Sequence, residues 1–181
     1  MRISLFILAA IATIVCSCEK HGADSETPDA GSKIENEFIN RCNFESVRVT
    51  FHANQMTYEI VSNPAKDSAN GTRNCAKVVS VAGNNEFLWC EPLPRKLDFT
   101  RNAPIFKMMV YAPKKGAEVS FKLEHPDNYA NNPKTTTAVT TKEGEWEELV
   151  FDFTDQELDD NFYQKIVLTF DRGKAAAGDT W

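Results

Sequence analysis

The chain has 181 residues, of which 42% are hydrophobic, and a formal net charge of −6. This length is enough for one domain with a sizeable core, and the acidic balance leaves no basic face for nucleic acid. Cys42, Cys75 and Cys90 lie too far apart for the CxxC spacing of zinc and redox sites, so the composition does not indicate metal or thiol chemistry.

The N-terminus has the pattern of a secretory signal. Arg2 precedes an apolar run at 5–15, which is shorter than the roughly 20 residues needed to span a bilayer. The run ends in Val15-Cys16-Ser17-Cys18, which resembles a bacterial lipobox: an aliphatic residue stands three before the cysteine and a small residue directly before it. We interpret residues 1–17 as a lipoprotein signal peptide and Cys18 as the acylated first residue of the mature chain. Acyl chains such as palmitate make this attachment effectively permanent.

Two alternatives to this anchor stay open. Cys16 would be a second acceptor, although the bulky Val15 would then precede the cleavage point, and an ordinary cleaved signal would leave Cys18 a plain thiol. Residues 18–40 contain Gly, Ser, Pro and scattered charges, which is typical of a solvated tether. We expect 41–181 to form one domain of an outer-membrane lipoprotein in the cell envelope, on the periplasmic or the surface-facing leaflet.

Alternation with period two runs through most of this domain. At 119–124, for example, Val, Phe and Leu alternate with Ser, Lys and Glu, as expected of a strand with one buried and one solvated face. Strands are predicted at 46–51, 58–61, 77–81, 87–89, 105–112, 119–124, 146–153 and 165–170. One helical turn is predicted after Thr154, which has capping-box spacing to Glu157. Short strands separated by turns such as Asn63-Pro64 predict an all-β fold, an antiparallel β-sandwich or jelly roll.

Several segments of the domain form a recognisable series. They are Asn43-Phe44-Glu45, Asn63-Pro64, Lys107-Met108-Met109-Val110-Tyr111-Ala112-Pro113 with Gly116, Phe121-Lys122-Leu123-Glu124, Gly144-Glu145-Trp146-Glu147-Glu148-Leu149, Lys165-Ile166-Val167-Leu168 and Gly178-Asp179-Thr180-Trp181. In order and spacing they resemble the galactose-binding-domain-like jelly rolls, akin to carbohydrate-binding modules, of glycan-degrading lipoproteins in Bacteroidetes-type bacteria. The resemblance implies a non-catalytic module that binds glycan or polysaccharide, or an accessory module of a polysaccharide-utilisation system.

The same resemblance carries two further expectations. It implies a structural calcium ion near the chain termini with Glu45 as a ligand, because calcium binds 6–8 oxygen atoms. Domains of this type continue past the Gly-Asp-Thr-aromatic stretch into a last strand, whereas this sequence stops at Trp181. The domain 41–181 is therefore expected to lack its last strand, and with it a usual acidic calcium ligand.

Two other functions remain alternatives at this stage. One is a structural or protein-interaction β-sandwich that binds no sugar. The other is the truncated N-terminal part of a glycoside hydrolase. Acidic residues do cluster at 152–160, and a glycosidase needs two carboxylates around the sugar bond. Because such a cluster in a polar turn is more often a solvated rim, and because no catalytic motif accompanies it, we expect no enzyme activity.

The candidates for glycan contact are aromatic residues, since aromatic rings stack on the C–H faces of sugars. Trp89 follows the polar stretch Asn84-Asn85-Glu86, and we weigh a sugar platform and core packing equally for it. Tyr129 lies in an Asn-rich loop, where it is a glycan-binding candidate or an ordinary solvated residue. Trp146 is a third candidate, but core packing is favoured for it because Leu149, Phe151 and Phe153 follow in its strand.

The cysteines of the domain leave two alternatives. In an oxidising envelope they form either one disulfide and a leftover thiol, or three free thiols. If Gly83-Asn84-Asn85 turns a hairpin, Cys90 falls opposite Val78 and Cys75 lies beyond the pairing. Any disulfide is then expected to join Cys42 to Cys75 rather than Cys75 to Cys90.

Overall fold

A computed structural model describes residues 42–45, 49–100 and 103–181 of the chain. The predicted signal peptide, the lipidation site Cys18 and the tether lie outside these residues, as do positions 46–48 of the first predicted strand. Within the described ranges, no helix has the length and the apolar character needed to cross a membrane.

The described residues form strands and turns without any α-helix. The strands are β1 (Phe51–Asn54), β2 (Met56–Ser62), β3 (Asn74–Ser80), β4 (Phe87–Cys90), β5 (Ile105–Tyr111), β6 (Glu118–Glu124), β7 (Lys134–Val139), β8 (Trp146–Asp152) and β9 (Lys165–Phe170). All the paired strands run antiparallel. The prediction of an all-β antiparallel sandwich is confirmed.

One large sheet and two two-stranded ribbons make up the fold. The large sheet has the strand order β1-β4-β9-β6-β7, and the ribbons are β2-β3 and β5-β8. The chain passes from β1 to β2, and so from sheet to ribbon, through the single residue Gln55, whose φ is 52°. The last residues run antiparallel to β3, with Val78 N donating to Trp181 O at 3.0 Å and Trp181 N to Val78 O at 2.9 Å.

Aromatic side chains join the two layers. Phe121, on the inner side of the large sheet, stacks on Phe106 of β5 at 4.9 Å between ring centroids and meets Phe151 of β8 at 5.1 Å. Phe170 of β9 meets Trp181, beside β3, at 5.6 Å. These contacts follow from the alternation of the strands, because residues 119, 121 and 123 point inward and are buried.

Three local predictions are wrong. The strand β7 was not predicted, because its sequence KTTTAV has only two apolar residues. The helical turn after Thr154 is absent, since Asp152 Oδ1 accepts from Thr154 N at 2.8 Å and Gln156 N donates to Phe153 O at 3.0 Å, which closes a simple turn. The strand predicted at 46–51 is not formed at Val49 and Thr50, since β1 begins at Phe51; positions 46–48 lie outside the described residues.

The predicted hairpin at residues 83–85 is also wrong. Its two strands, β3 and β4, lie in different sheets. The carboxylate of Glu86, which is only 1% exposed, accepts from Ser80 Oγ at 2.7 Å, Val81 N at 2.6 Å and Gly83 N at 3.0 Å. The connection is therefore folded around a buried carboxylate rather than closed by strand pairing, and the disulfide argument that used this hairpin register loses its basis.

Candidate functional site

A continuous row of side chains crosses the outer face of the large sheet, the face that points away from the core. The strand register places His52 opposite Trp89, Trp89 opposite Val167, Val167 opposite Lys122 and Lys122 opposite Thr135. We call these five residues the Trp89 row. Since side chains alternate along a strand, the neighbours of Trp89 in β4 point into the core and are buried. Trp89 itself is half-buried on the outer face.

Two aromatic rings support the Trp89 indole. The imidazole of His52 stacks on it with ring centroids 5.2 Å apart and planes 29° apart. Phe87, two residues earlier on β4, meets it at 5.4 Å with the planes tilted by 46°. His52 Nε2 also contacts the carboxylate of Glu91. The indole is therefore fixed from two sides, and a fixed ring loses little conformational freedom when a ligand binds.

Most of the rest of this face is polar. The register places Ser120 of β6 between Thr169 of β9 and Thr137 of β7, next to the Trp89 row. Lys122 Nζ bonds Glu124 Oε1 at 2.6 Å, and Lys165 lies opposite Glu124. The aromatic groups are thus gathered on β1 and β4, and hydroxyl and charged groups cover β9, β6 and β7.

Trp146 is buried, as the core interpretation predicted. It lies, however, on the face of β8 that points away from the large sheet. It is 5% exposed, yet its position in β8 has the opposite parity to Leu149 and Phe151, which point between the layers. The loop between β2 and β3 covers it, and its Nε1 donates to Asn63 Oδ1 at 3.1 Å. Tyr111 meets its ring edge-on at 5.4 Å. The expected packing against Leu149, Phe151 and Phe153 is wrong.

An open cavity of about 420 Å³ adjoins Trp146. Its lining includes Met109, Lys142 and Glu147. The carboxylate of Glu147 accepts from Thr141 N at 3.0 Å and from Lys142 N at 3.1 Å. Burial alone would raise the pKa of this carboxyl, but these bonds, with that from the Thr141 hydroxyl, leave it below its usual value. Glu147 thus holds the turn before β8, and the indole beneath the loop presents almost no surface to a ligand.

Tyr129 is exposed in the loop between β6 and β7, with 71% of its surface accessible. The loop is attached to the domain through Asn132, whose carbonyl accepts from Tyr163 OH at 3.1 Å and whose Nδ2 donates to Asp159 Oδ2 at 2.6 Å. Because this loop leaves the sheet two strands from β4, the three aromatic candidates occupy separate places. Only Trp89 lies on an open sheet face beside polar groups.

No protein-family model and no curated protein matches the sequence.

Solved structures that resemble the fold include the following three. One concerns the promiscuous specificity of carbohydrate-binding modules from the β-sandwich superfamily; it has a TM-score of 0.49 and 14% identity, over 74% of this chain and 52% of that chain. This chain thus spans about half the length of that protein. The second is the Clostridium thermocellum N-terminal endo-1,4-β-D-xylanase 10B, its CBM22-1 and GH10 modules complexed with xylohexaose, with a TM-score of 0.45 and 12% identity, over 72% and 24%. The third is TmCBM61 with β-1,4-galactotriose, with a TM-score of 0.39 and 13% identity, over 72% and 81%.

The predicted calcium ligand Glu45 has another partner. Its carboxylate accepts from the backbone N–H of Arg73, and its own backbone N–H donates to Asn43 Oδ1 at 3.0 Å. In the described part of the chain, no group of three or more His, Cys, Asp or Glu side chains is arranged to hold a metal. These residues do not form the multi-carboxylate cage that suits calcium, and calcium at Glu45 stays an untested prediction.

Three of the acidic residues at 152–160 hold turns together. Asp152 bonds Thr154 N, as described above, and these hydrogen bonds keep the pKa of its carboxyl below the usual value. Asp159 bonds Asn132, and Asp160 Oδ1 accepts from Phe99 N at 2.9 Å. Each of these three side chains is exposed and committed to a loop contact. This arrangement is the solvated rim that the sequence favoured over a pair of catalytic carboxylates.

Cys42, Cys75 and Cys90 are free thiols. Of the two alternatives drawn from the sequence, the structure has the one without a disulfide, and the Cys42–Cys75 pair is not formed. Burial raises the pKa of all three thiols, which keeps them protonated and unreactive at neutral pH. Cys90 has a packing role, since its Sγ accepts from Ile166 N at 3.1 Å inside the core.

Proposed function

We propose that this protein is a non-catalytic glycan-binding module, attached to the cell envelope through lipid on Cys18. The observation that supports glycan binding is the Trp89 row. Its ring-supported indole stands on an outer sheet face, and the next three strands carry the ammonium group of Lys122 and the hydroxyl groups of threonine and serine residues. Sugars need this combination, because their C–H faces stack on aromatic rings while their hydroxyl groups require polar partners.

The shape of the face favours a chain over a small compact ligand. Five strands at a spacing of about 4.8 Å give the row a width of about 19 Å between its outermost strands. Small-molecule sites are usually concave and mostly apolar, whereas this surface is open and mostly polar beyond the aromatic group. An extended polysaccharide lying across the strands would contact the indole and the hydroxyl groups together.

The direct test is the affinity of the purified protein for a panel of oligosaccharides, measured by calorimetry. Trp89→Ala should lower the affinity at least about tenfold, or 1.4 kcal/mol, while the protein stays folded. Tyr129→Ala is the comparison, because it removes an exposed aromatic ring from a loop outside the row. Unchanged affinity in Trp89→Ala, with a loss in Tyr129→Ala, would move the site to the loop. No binding of any glycan by the wild type would favour the structural or protein-interaction module.

The anchor has an independent test in a bacterial host grown with labelled palmitate. Cys18→Ala should abolish labelling and release the protein from the membrane fraction, because lipid is the attachment that the sequence offers. Cys16→Ala is the matched control, two residues away, and should keep both label and membrane attachment. Label that disappears in Cys16→Ala but persists in Cys18→Ala would assign the acyl chain to the other cysteine.

A further inference from the structure

A second cavity is bounded by β1, the residues before it and the β2–β3 ribbon. Its volume is about 320 Å³, and five of its seven lining residues are apolar or aromatic: Phe44, Val49, Phe51, Tyr58 and Ile60. The Phe51 ring meets Phe44 at 6.3 Å and Tyr58 at 6.0 Å between centroids. The volume is about twice the 150 Å³ of an apolar cavity that binds benzene, so it has room for a phenyl ring and an aliphatic side chain.

Ile60 lies on the inner side of the ribbon. It shares one face of β2 with Tyr58 and Met56, because side chains two positions apart point the same way. That face is directed toward the large sheet, since Met56 and Val78, the partner of Tyr58, are buried in the core. Ile60 is nevertheless 47% exposed, so the described residues leave nearly half of a core-facing apolar side chain uncovered. A segment that covers the cavity would gain the burial of this surface.

The chain enters the domain beside this cavity. Burial raises the pKa of the Cys42 thiol, and hydrogen bonds to the backbone of Phe44 and Val49, two of the lining residues, lower it in part. Burial also raises the pKa of Tyr58 to about 12, and the neighbouring Cys42 adds to that increase. Cys42 is therefore next to the cavity. Four residues of chain reach at most about 14 Å, so Phe38 is near enough to enter it.

The sequence just before Cys42 has the apolar residues that the cavity lacks. Residues 19–33 contain no Val, Leu, Ile, Met, Phe, Tyr or Trp, whereas Ile34, Phe38 and Ile39 follow within six positions. Solvated tethers are poor in such residues, because nothing in water compensates for their exposure. These three residues belong to the part of the chain outside the described residues, and that part joins the domain at the cavity.

From these observations we propose that residues 34–39 dock on the domain, with Phe38 and Ile39 in the cavity against Ile60. Docking of this segment is independent of glycan binding. It limits the free tether behind the lipid to residues 19–33. It also makes the tether leave the domain beside β1, the edge strand of the sheet that carries the Trp89 row.

A glutamyl endopeptidase tests the docking in the purified wild-type protein, because it can cut after Glu37, inside the segment, and after Glu26, in the free tether. A docked segment must detach before it is cut. Relative to the protein unfolded in urea, the cut after Glu37 should be at least about tenfold slower than the cut after Glu26. Phe38→Ser should abolish this protection and leave the cut after Glu26 unchanged.

A double-mutant cycle identifies the cavity. Phe38→Ser and Ile60→Ser should each lower the melting temperature by at least about 4 °C, and the double variant should lose clearly less than the sum, because both remove the same contact. Val139→Ser is the matched control, since Val139 is also an exposed aliphatic strand residue, 53% exposed, on β7 at the opposite edge of the sheet from β1. Its effect should be small and should add to that of Phe38→Ser. Ile39→Ser takes the place of Phe38→Ser if that variant does not fold.

The outcomes decide between the occupants of the cavity. Protection at Glu37 that Phe38→Ser abolishes, together with coupling between Phe38 and Ile60, supports the docking. Equal cleavage after the two glutamates in the wild type overturns it. Protection without coupling also overturns it, because the segment then docks at another place. Coupling of Val47→Ser to Ile60→Ser, in place of Phe38→Ser, would assign the cavity to residues 46–48 instead.

Discussion

The side chain of Asn63 connects the β2–β3 loop to Trp146, and Asn63→Ala is expected to be strongly destabilising. Asn63 is 8% exposed and makes four hydrogen bonds with its amide group. Nδ2 donates to Asn70 O and Thr72 O, each at 3.1 Å, and Oδ1 accepts from Ala65 N at 3.0 Å and from the Trp146 indole at 3.1 Å. The substitution leaves four partners without their bond, and two of these bonds are buried.

The expected cost follows from these bonds. A typical hydrogen bond contributes about 1 kcal/mol net, and a buried group left unpaired costs about 1–3 kcal/mol. Water can reach the less buried partners, so we expect Asn63→Ala to lower the free energy of unfolding by about 3 kcal/mol. For a domain of this size that corresponds to a fall in melting temperature of about 10 °C.

Chemical denaturation and calorimetry measure this change. Asn63→Asp keeps the acceptor for the indole but sets a buried carboxylate against the carbonyl oxygens of Asn70 and Thr72, so it should cost at least as much as Asn63→Ala. Trp146→Phe keeps an aromatic ring and removes the indole donor, and its effect should not add fully to that of Asn63→Ala because the two share one bond. Asn128→Ala removes an exposed asparagine with one local bond and serves as the control. A loss of less than about 0.5 kcal/mol in Asn63→Ala would refute the reasoning.

Two further stability predictions follow from contacts described above. Phe121→Ala should lower the free energy of unfolding by about 3–5 kcal/mol in denaturant titration, because it removes a buried ring that contacts both layers; a cost below about 1 kcal/mol would contradict that packing. Glu147 has a lowered pKa in the folded state, so its charge stabilises the fold above the unfolded value near 4.5, and this contribution is lost as the pH falls through the folded pKa. The difference in melting temperature between wild type and Glu147→Gln should therefore shrink as the pH falls below about 4.5, while Glu145→Gln, an exposed neighbour, shows little difference at any pH. A constant difference for Glu147→Gln across that range would contradict the assignment.

The sequence predicts strands well where one face is solvated. In β6 the apolar residues alternate clearly with polar ones, and the predicted segment matches the observed strand. The same criterion fails for β7, because threonine serves on both faces and hides the period. The preference of threonine for strands, counted separately from hydrophobicity, would have indicated this element.

The predicted hairpin fails for a different reason. Local turn residues indicate that the chain reverses, but they do not specify the sheet that the next strand joins. Here the connection between β3 and β4 folds around the buried carboxylate of Glu86, and β4 then joins a different sheet from β3. A glutamate next to three turn residues looks solvated in sequence, and its burial becomes intelligible only with the three donors that surround it.

The candidate site, too, is predicted from the sequence only in part. Sequence identifies Trp89 as a residue to weigh, because polar residues precede it. It does not reveal that His52 and Val167 are its cross-strand neighbours, because those positions lie 37 and 78 residues away along the chain. The side of the strand on which Trp146 lies was readable from parity, since 146 differs from 149 and 151 by odd numbers. The covering loop that buries it there was not.

The position of β9 determines when the large sheet of this domain can be completed during synthesis. β9 follows the other eight described strands in the sequence, yet it lies at the centre of the large sheet, between β4 and β6. Until residue 170 has been made, β1-β4 and β6-β7 are separate hairpin-sized pieces, each too small to be stable by itself. The large sheet, and with it the surface that carries the Trp89 row, can therefore be completed only when β9 has been added.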